Sequence, residues 1–238
     1  MINLEESNIQ IFADGASIEG IRRAKQNPLI KGFTTNPTLM RSSGVVDYKN
    51  FAQEALDIID GSPISFEVFS DDLDEMYDQA KIIASFGKNI SVKIPITNTK
   101  GYSTKDLVGS LIKDKIVCNV TAMFTMKHVE EIFSVCDSNI EIILSIFAGR
   151  IADTGMDPMP IMKEAVNYTK NSNAKILWAS PREVLNIVQA EEVGCSIITI
   201  TEDLLNKTSS FNKDLNQFSL DTVKMFYNDA KKSGYNIQ

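Results

Sequence analysis

A lysine sits at the centre of the apolar run Ile90-Ser-Val-Lys-Ile-Pro-Ile96. Strict alternation places Ile90, Val92, Ile94 and Ile96 on one face of a strand and Ser91, Lys93 and Pro95 on the other. A half-exposed strand would carry Lys93 into water. In a buried strand the ammonium must find a partner or give up its proton, and a neutral amine is a nucleophile for carbonyl carbon. Asp14 and Glu67 lie near the ends of two other apolar runs. A nucleophile flanked by two carboxylates has acid and base partners, the pattern that Schiff-base chemistry requires.

Those side chains need elements to position them. Short β-branched runs alternate with longer helical patterns along the chain. The spacing predicts strands over 9–14, 32–36, 64–69, 90–96, 116–121, 140–147, 175–180 and 196–199. Helical patterns fall between them, including 17–25, 47–60, 71–86, 125–136, 158–169 and 181–193, several opened by Ser, Thr, Asp or Pro. Eight β/α units in about 200 residues fit a parallel (β/α)8 TIM barrel better than a doubly wound open sheet. Neither GxGxxG nor GxxxxGK[ST] is present. An amphipathic pattern at about 212–232 predicts an additional C-terminal helix that would cover the barrel or a neighbouring subunit. No linker or low-complexity segment interrupts residues 1–238, so one barrel domain is expected.

In such a barrel alternate residues point inward, and chemistry gathers at the C-terminal strand ends. If Ile9, Ile11 and Ala13 face the helices, Gln10, Phe12 and Asp14 point inward. The same count turns Thr34, Asn36, Glu67, Lys93, Asn119, Thr121, Ser145 and Phe147 to the interior. Each has a duller reading: Asp14 could cap the helix near Ser17, Asn36-Pro37 is a common turn, and Asn119 and Thr121 could be exposed edge residues. Their agreement in parity favours a shared polar mouth.

Composition narrows the function. The 238 residues are 43% apolar and 23% charged, the balance of a soluble globular protein. No run of about 18 apolar residues predicts a membrane span, and the N-terminus lacks the pattern of a secretory signal. Cys118, Cys136 and Cys195 are odd in number and widely spaced, which argues for neither a disulfide framework nor a CxxC metal site, so a cytoplasmic setting is expected. A net charge of −7 argues against general nucleic-acid binding. An anionic ligand would need local cations, and Arg150, Ser180 and Arg182 lie just past two late strands, on the rim where such barrels often bind phosphate.

The stretches Phe12-Ala-Asp14, Gly32-Phe-Thr-Thr-Asn-Pro37, Val92-Lys-Ile-Pro95, Cys118-Asn-Val-Thr121, Ser145-Ile-Phe-Ala-Gly-Arg-Ile151 and Ala179-Ser-Pro-Arg182 together resemble the signature segments of the transaldolase family. The resemblance runs from about Ile9 to Thr201 and is closest to the small-subunit branch that also holds fructose-6-phosphate aldolases. It implies that Lys93 forms a Schiff base with a ketose phosphate, with Asp14 as the base at the C4 hydroxyl and Glu67 and Thr121 holding a water for proton transfer. Asn36, Asn119 and Ser145 would bind the dihydroxyacetone unit, with Thr34 and Phe147 beside them. Arg150, Ser180 and Arg182 would hold the phosphate. Sugar phosphates as partners, a homo-oligomer, and no metal or organic cofactor are implied as well.

Two departures bear on sugar length: Pro181 replaces an aromatic residue between Ser180 and Arg182, and Gly15-Ala-Ser17 follows Asp14. Relatives that act as aldolases typically carry Gln, Tyr and Ala where this chain has Glu67, Phe147 and Ser145. The expected activity is therefore transfer of a dihydroxyacetone unit. An aldolase releasing free dihydroxyacetone, or a barrel that binds sugar phosphates without turnover, are the alternatives.

Overall fold

In the computed structural model, which describes residues 4 and 6–237, the strands are β1 (Gln10–Asp14), β2 (Ile30–Thr34), β3 (Ile64–Glu67), β4 (Ile90–Pro95), β5 (Cys118–Met123), β6 (Ile142–Ile146), β7 (Ala174–Trp178) and β8 (Ile197–Ile200). Every neighbouring pair is parallel, and β1 pairs with β8 to close the barrel. The helices are α1 (Ile18–Lys25), α2 (Pro37–Ser42), α3 (Tyr48–Ile59), α4 (Leu73–Ala84), α5 (Lys105–Lys113), α6 (Met126–Phe133), α7 (Ala148–Ala152), α8 (Met159–Thr169), α9 (Leu185–Glu192), α10 (Glu202–Lys207) and α11 (Leu215–Ser233). This is the (β/α)8 architecture expected from the alternation of patterns.

Two apolar layers hold it. Outward-facing Phe33, Phe66, Val92, Ile94, Val120, Leu144, Trp178 and Ile198 are buried against the helices. Inside the ring, Phe12, Ile143, Leu177, Ala179 and Ile197 form a separate buried cluster, so the barrel has a filled floor rather than a pore. Gly32 makes room for it: a Cβ there would come within 2.6 Å of the Phe12 ring.

Register carries the parity through the sheet, because paired residues of parallel strands point the same way. Phe12 pairs with Gly32 and Thr199, Asp14 with Thr34, and Glu67, Lys93 and Asn119 lie side by side on β3, β4 and β5.

Several expected boundaries shift. Asn36 lies beyond β2, where its side chain accepts from the Leu39 amide and caps α2. Strand β6 stops at Ile146, and Phe147 becomes the N-cap of α7. Strand β5 begins at Cys118 and runs to Met123 through a register shift after Val120. The helix expected over 181–193 begins only at Leu185, since Asn186 Oδ1 accepts from the amides of Arg182 and Glu183 and holds that segment as a turn. Helix α11 does not cover the barrel: none of its residues is buried. Leu215, Val223, Phe226 and Tyr227 on it are exposed.

Candidate active site

The C-terminal strand ends surround a cavity of about 430 Å³. Asp14 from β1, Thr34 from β2, Glu67 from β3, Lys93 from β4, Asn119 and Thr121 from β5 and Ser145 from β6 line it. Asn36, Phe147, Arg150 and Ser180 contribute from the loops and short helices beyond the strands. Neither Asn119 nor Thr121 is an edge residue, because a closed ring has no edge; both are buried. Arg182 is the exception among the candidates. It does not line the cavity, and its guanidinium grips Asp153 at 2.9 and 2.5 Å on the exposed rim.

Lys93 is only 7% exposed. Its Nζ lies 3.0 Å from Glu67 Oε2 and donates to the Thr35 carbonyl at 2.8 Å. The buried amine therefore has a partner, supplied by strand register and by a main-chain oxygen. Tyr48 of α3 donates to the Glu67 carbonyl at 2.9 Å and fixes the end of β3. Burial, with the Glu67 charge adding to it, pushes the Tyr48 phenol up, so it stays a protonated donor.

Asp14 sits across the mouth from Lys93. Burial pushes its carboxyl above the ordinary aspartate range; the Lys93 ammonium and a hydrogen bond from Thr34 Oγ1 at 2.8 Å pull it back, and the Glu67 charge raises it. The carboxylate still touches the cavity, so the rise comes from the surrounding protein rather than from full enclosure. Ser17, not Asp14, caps α1.

A second chain of hydrogen bonds sets the amide on the opposite wall. Ser145 Oγ donates to Asn119 Oδ1 at 2.6 Å, and Asn119 Nδ2 donates to Ser65 Oγ at 3.0 Å. Both hydrogen-bonding ends of the amide are engaged, so its orientation is fixed. Asn36 uses its oxygen as the cap of α2, which leaves its amide nitrogen as the donor for the cavity.

The rim at the ends of β5 and β7 is shaped by backbone in the left-handed region. Ala122 and Ser180, both lining the cavity, have φ of 59° and 57°, a conformation that costs a non-glycine residue about 1–2 kcal/mol. The Ser180 carbonyl passes so close to Gly149 that a Cβ would sit 1.6 Å away, so position 149 accepts only glycine. Arg150 lies over the Phe147 ring at 5.4 Å, and Phe147 packs on Phe124 at 5.7 Å.

Three contributors were not anticipated from sequence: Ser65, the Thr35 carbonyl and Thr199, which lines the cavity from β8. Ser65 stands two residues before Glu67, and Thr199 two after the inward Ile197. The period-2 count that found the others reaches both. A backbone carbonyl has no side-chain signal. Among the described residues, no group of three or more His, Cys, Asp or Glu is placed to hold a metal ion.

The closed parallel barrel thus carries a buried, carboxylate-paired lysine at its C-terminal mouth. The family model described as transaldolase/fructose-6-phosphate aldolase matches residues 11–238, and the chain belongs to that family. A probable transaldolase of Roseiflexus castenholzii is 34% identical over 202 residues, covering 84% of this chain and 89% of the relative. One of Nitrosopumilus maritimus is 32% identical, covering 84% and 86%. Among solved structures, a 2,3-dimethylmalate lyase superposes with a TM-score of 0.60 at 10% identity, covering 98% of this chain and 83% of that one. A putative phosphonomutase from Burkholderia cenocepacia gives 0.54 at 8%, covering 98% and 96%. At such identities these two speak for the fold alone.

Proposed function

We propose that the protein is a transaldolase that moves a dihydroxyacetone unit from a ketose phosphate, such as fructose 6-phosphate or sedoheptulose 7-phosphate, to an aldose phosphate. The observation that carries this reading is the buried Lys93 amine held 3.0 Å from the Glu67 carboxylate inside a cavity of sugar-phosphate size. Glu67 takes a proton from the Lys93 ammonium, and the amine adds to the C2 carbonyl. Loss of water, with Glu67 and Thr121 serving the proton transfers, leaves an iminium ion. Asp14 then accepts the C4 hydroxyl proton as the C3–C4 bond breaks, and its electron pair moves into the iminium to give an enamine. The aldose phosphate departs; an acceptor aldehyde enters, and the steps run in reverse.

Asn36, Asn119 and Ser145 bind the dihydroxyacetone hydroxyls, the last two as one pre-set hydrogen-bonded pair. Arg150 and Ser180 meet the phosphate from the rim, and Arg182 joins them by exchanging Asp153 for the phosphate dianion. Phe147 keeps water from the enamine, which favours transfer over release of free dihydroxyacetone. We further propose that the chain works as a homo-oligomer, since α11 presents Leu215, Phe218, Leu220, Val223 and Phe226 to solvent.

A product assay on fructose 6-phosphate tests the assignment. Free dihydroxyacetone should form slowly without acceptor, and erythrose 4-phosphate should accelerate turnover greatly. Rapid release that ignores the acceptor would reassign the protein as an aldolase, and no turnover with either would reduce it to a sugar-phosphate-binding barrel.

A further inference from the structure

Thr199 sits on β8 in register with Phe12, so its side chain turns into the barrel. It is buried, and its hydroxyl is in close contact with that of Thr34. Thr34 Oγ1 donates to Asp14 Oδ1 at 2.8 Å. A hydroxyl carries one proton, and that of Thr34 is committed to the carboxylate. The Thr34 oxygen can then only accept from Thr199, which fixes the direction of the chain as Thr199 to Thr34 to Asp14. We propose that Thr199 is a positioning residue for Asp14, holding it as an oriented carboxylate through Thr34; this rests on the reading of Asp14 as the base in aldol cleavage.

The chain opposes the other forces on Asp14. Loss of solvent and the Glu67 charge drive the Asp14 carboxylate toward its neutral form, while the Lys93 ammonium favours the charged one. Behind Asp14, a smaller cavity of about 260 Å³ between α1 and α10 holds Arg23 and Glu202, which pair with each other at 2.8 Å. On the far rim stands Arg150. Two hydroxyls donating in series add a stabilising dipole that none of these charges supplies, and donation along a chain strengthens each bond in it. A base with a raised proton affinity still has to be ionised to work, and Thr199 keeps it so.

The test is the pH dependence of kcat/KM for fructose 6-phosphate cleavage in the presence of erythrose 4-phosphate. Thr199→Val keeps the shape and removes the donor. It should move the acid limb to higher pH, costing about 2- to 10-fold on that limb, the loss of one neutral hydrogen bond, while the alkaline plateau changes less than about twofold. Thr199→Ser should restore the native limb. If the valine variant does not fold, Thr199→Ala carries the same comparison. An unmoved limb, or a loss uniform across pH that serine does not repair, overturns the inference. Borohydride trapping on Lys93 is run alongside: absence of an adduct in the unsubstituted protein would sink the transaldolase reading itself, whereas an adduct with an unmoved limb sinks only the role of Thr199.

Discussion

Lys93 Nζ and Glu67 Oε2 meet at 3.0 Å because their residues are paired in register on adjacent strands. Lys93 is buried and Glu67 half-buried, and each charge is tolerated through the other. Lys93→Ala should abolish turnover and eliminate the three-carbon adduct trapped by borohydride, as measured by mass spectrometry. It also leaves Glu67 without its cation, so the variant should unfold at lower urea. Adding Glu67→Gln should return part of that loss; no recovery in the double variant would mean the pair contributes nothing to stability.

Arg182 is held by Asp153 rather than aimed into the cavity. If it reaches the phosphate by exchange, Arg182→Ala should weaken phosphorylated substrates by about 10- to 10³-fold in kcat/KM, the loss of a charge-assisted contact. Unphosphorylated analogues should lose far less. Asp153→Asn, which frees the guanidinium, should lower KM for the phosphorylated substrate. Equal losses for both substrate classes would make Arg182 a structural residue.

Asp14 carries a pH-linked cost. Its folded-state pKa is raised by burial above the ordinary aspartate value, so the folded protein holds this proton where the unfolded chain has released it. The associated stability is present below the unfolded pKa and is lost as pH rises through the folded one. At pH 7 Asp14→Asn should therefore raise the melting temperature by about a few degrees while removing the base and the turnover. At a pH below the ordinary aspartate range the two proteins should melt alike. A lower melting temperature for the variant at pH 7 would show that the Lys93 attraction outweighs burial.

Phe147 lines the cavity and also carries Arg150 on its face. Phe147→Tyr keeps the ring under the guanidinium and adds a hydroxyl that can orient water. Release of free dihydroxyacetone should rise relative to transfer, with KM for the phosphorylated donor little changed, as read by coupled assays of both products. A large rise in KM would place the effect on the arginine instead.

Period-2 alternation was enough to find Asp14, Thr34, Glu67, Lys93, Asn119, Thr121 and Ser145, because in a parallel barrel one parity serves every strand. It failed where geometry leaves the strand. Arg182 stands in a turn that Asn186 ties down, and its ion pair with Asp153 joins two loops distant in sequence. The Thr35 carbonyl is invisible to any side-chain pattern. Helices α2, α7 and α10 were missed because five or six residues are too few to display a period of 3.6. Helix α5 had its signal in Leu107, Val108, Leu111 and Ile112, all buried.

The contact between Thr34 and Thr199 spans 165 residues of chain and crosses the seam where the last strand meets the first. No shorter stretch of chain can orient Asp14 in this way. A chain still lacking β8, whether newly synthesised or partly refolded, has its lysine and most of its carboxylates yet leaves the ring open, and long-range closure of this kind is the slow part of folding. Return of activity during refolding thus reports the sealing of the ring, and should lag behind the return of helix signal in circular dichroism.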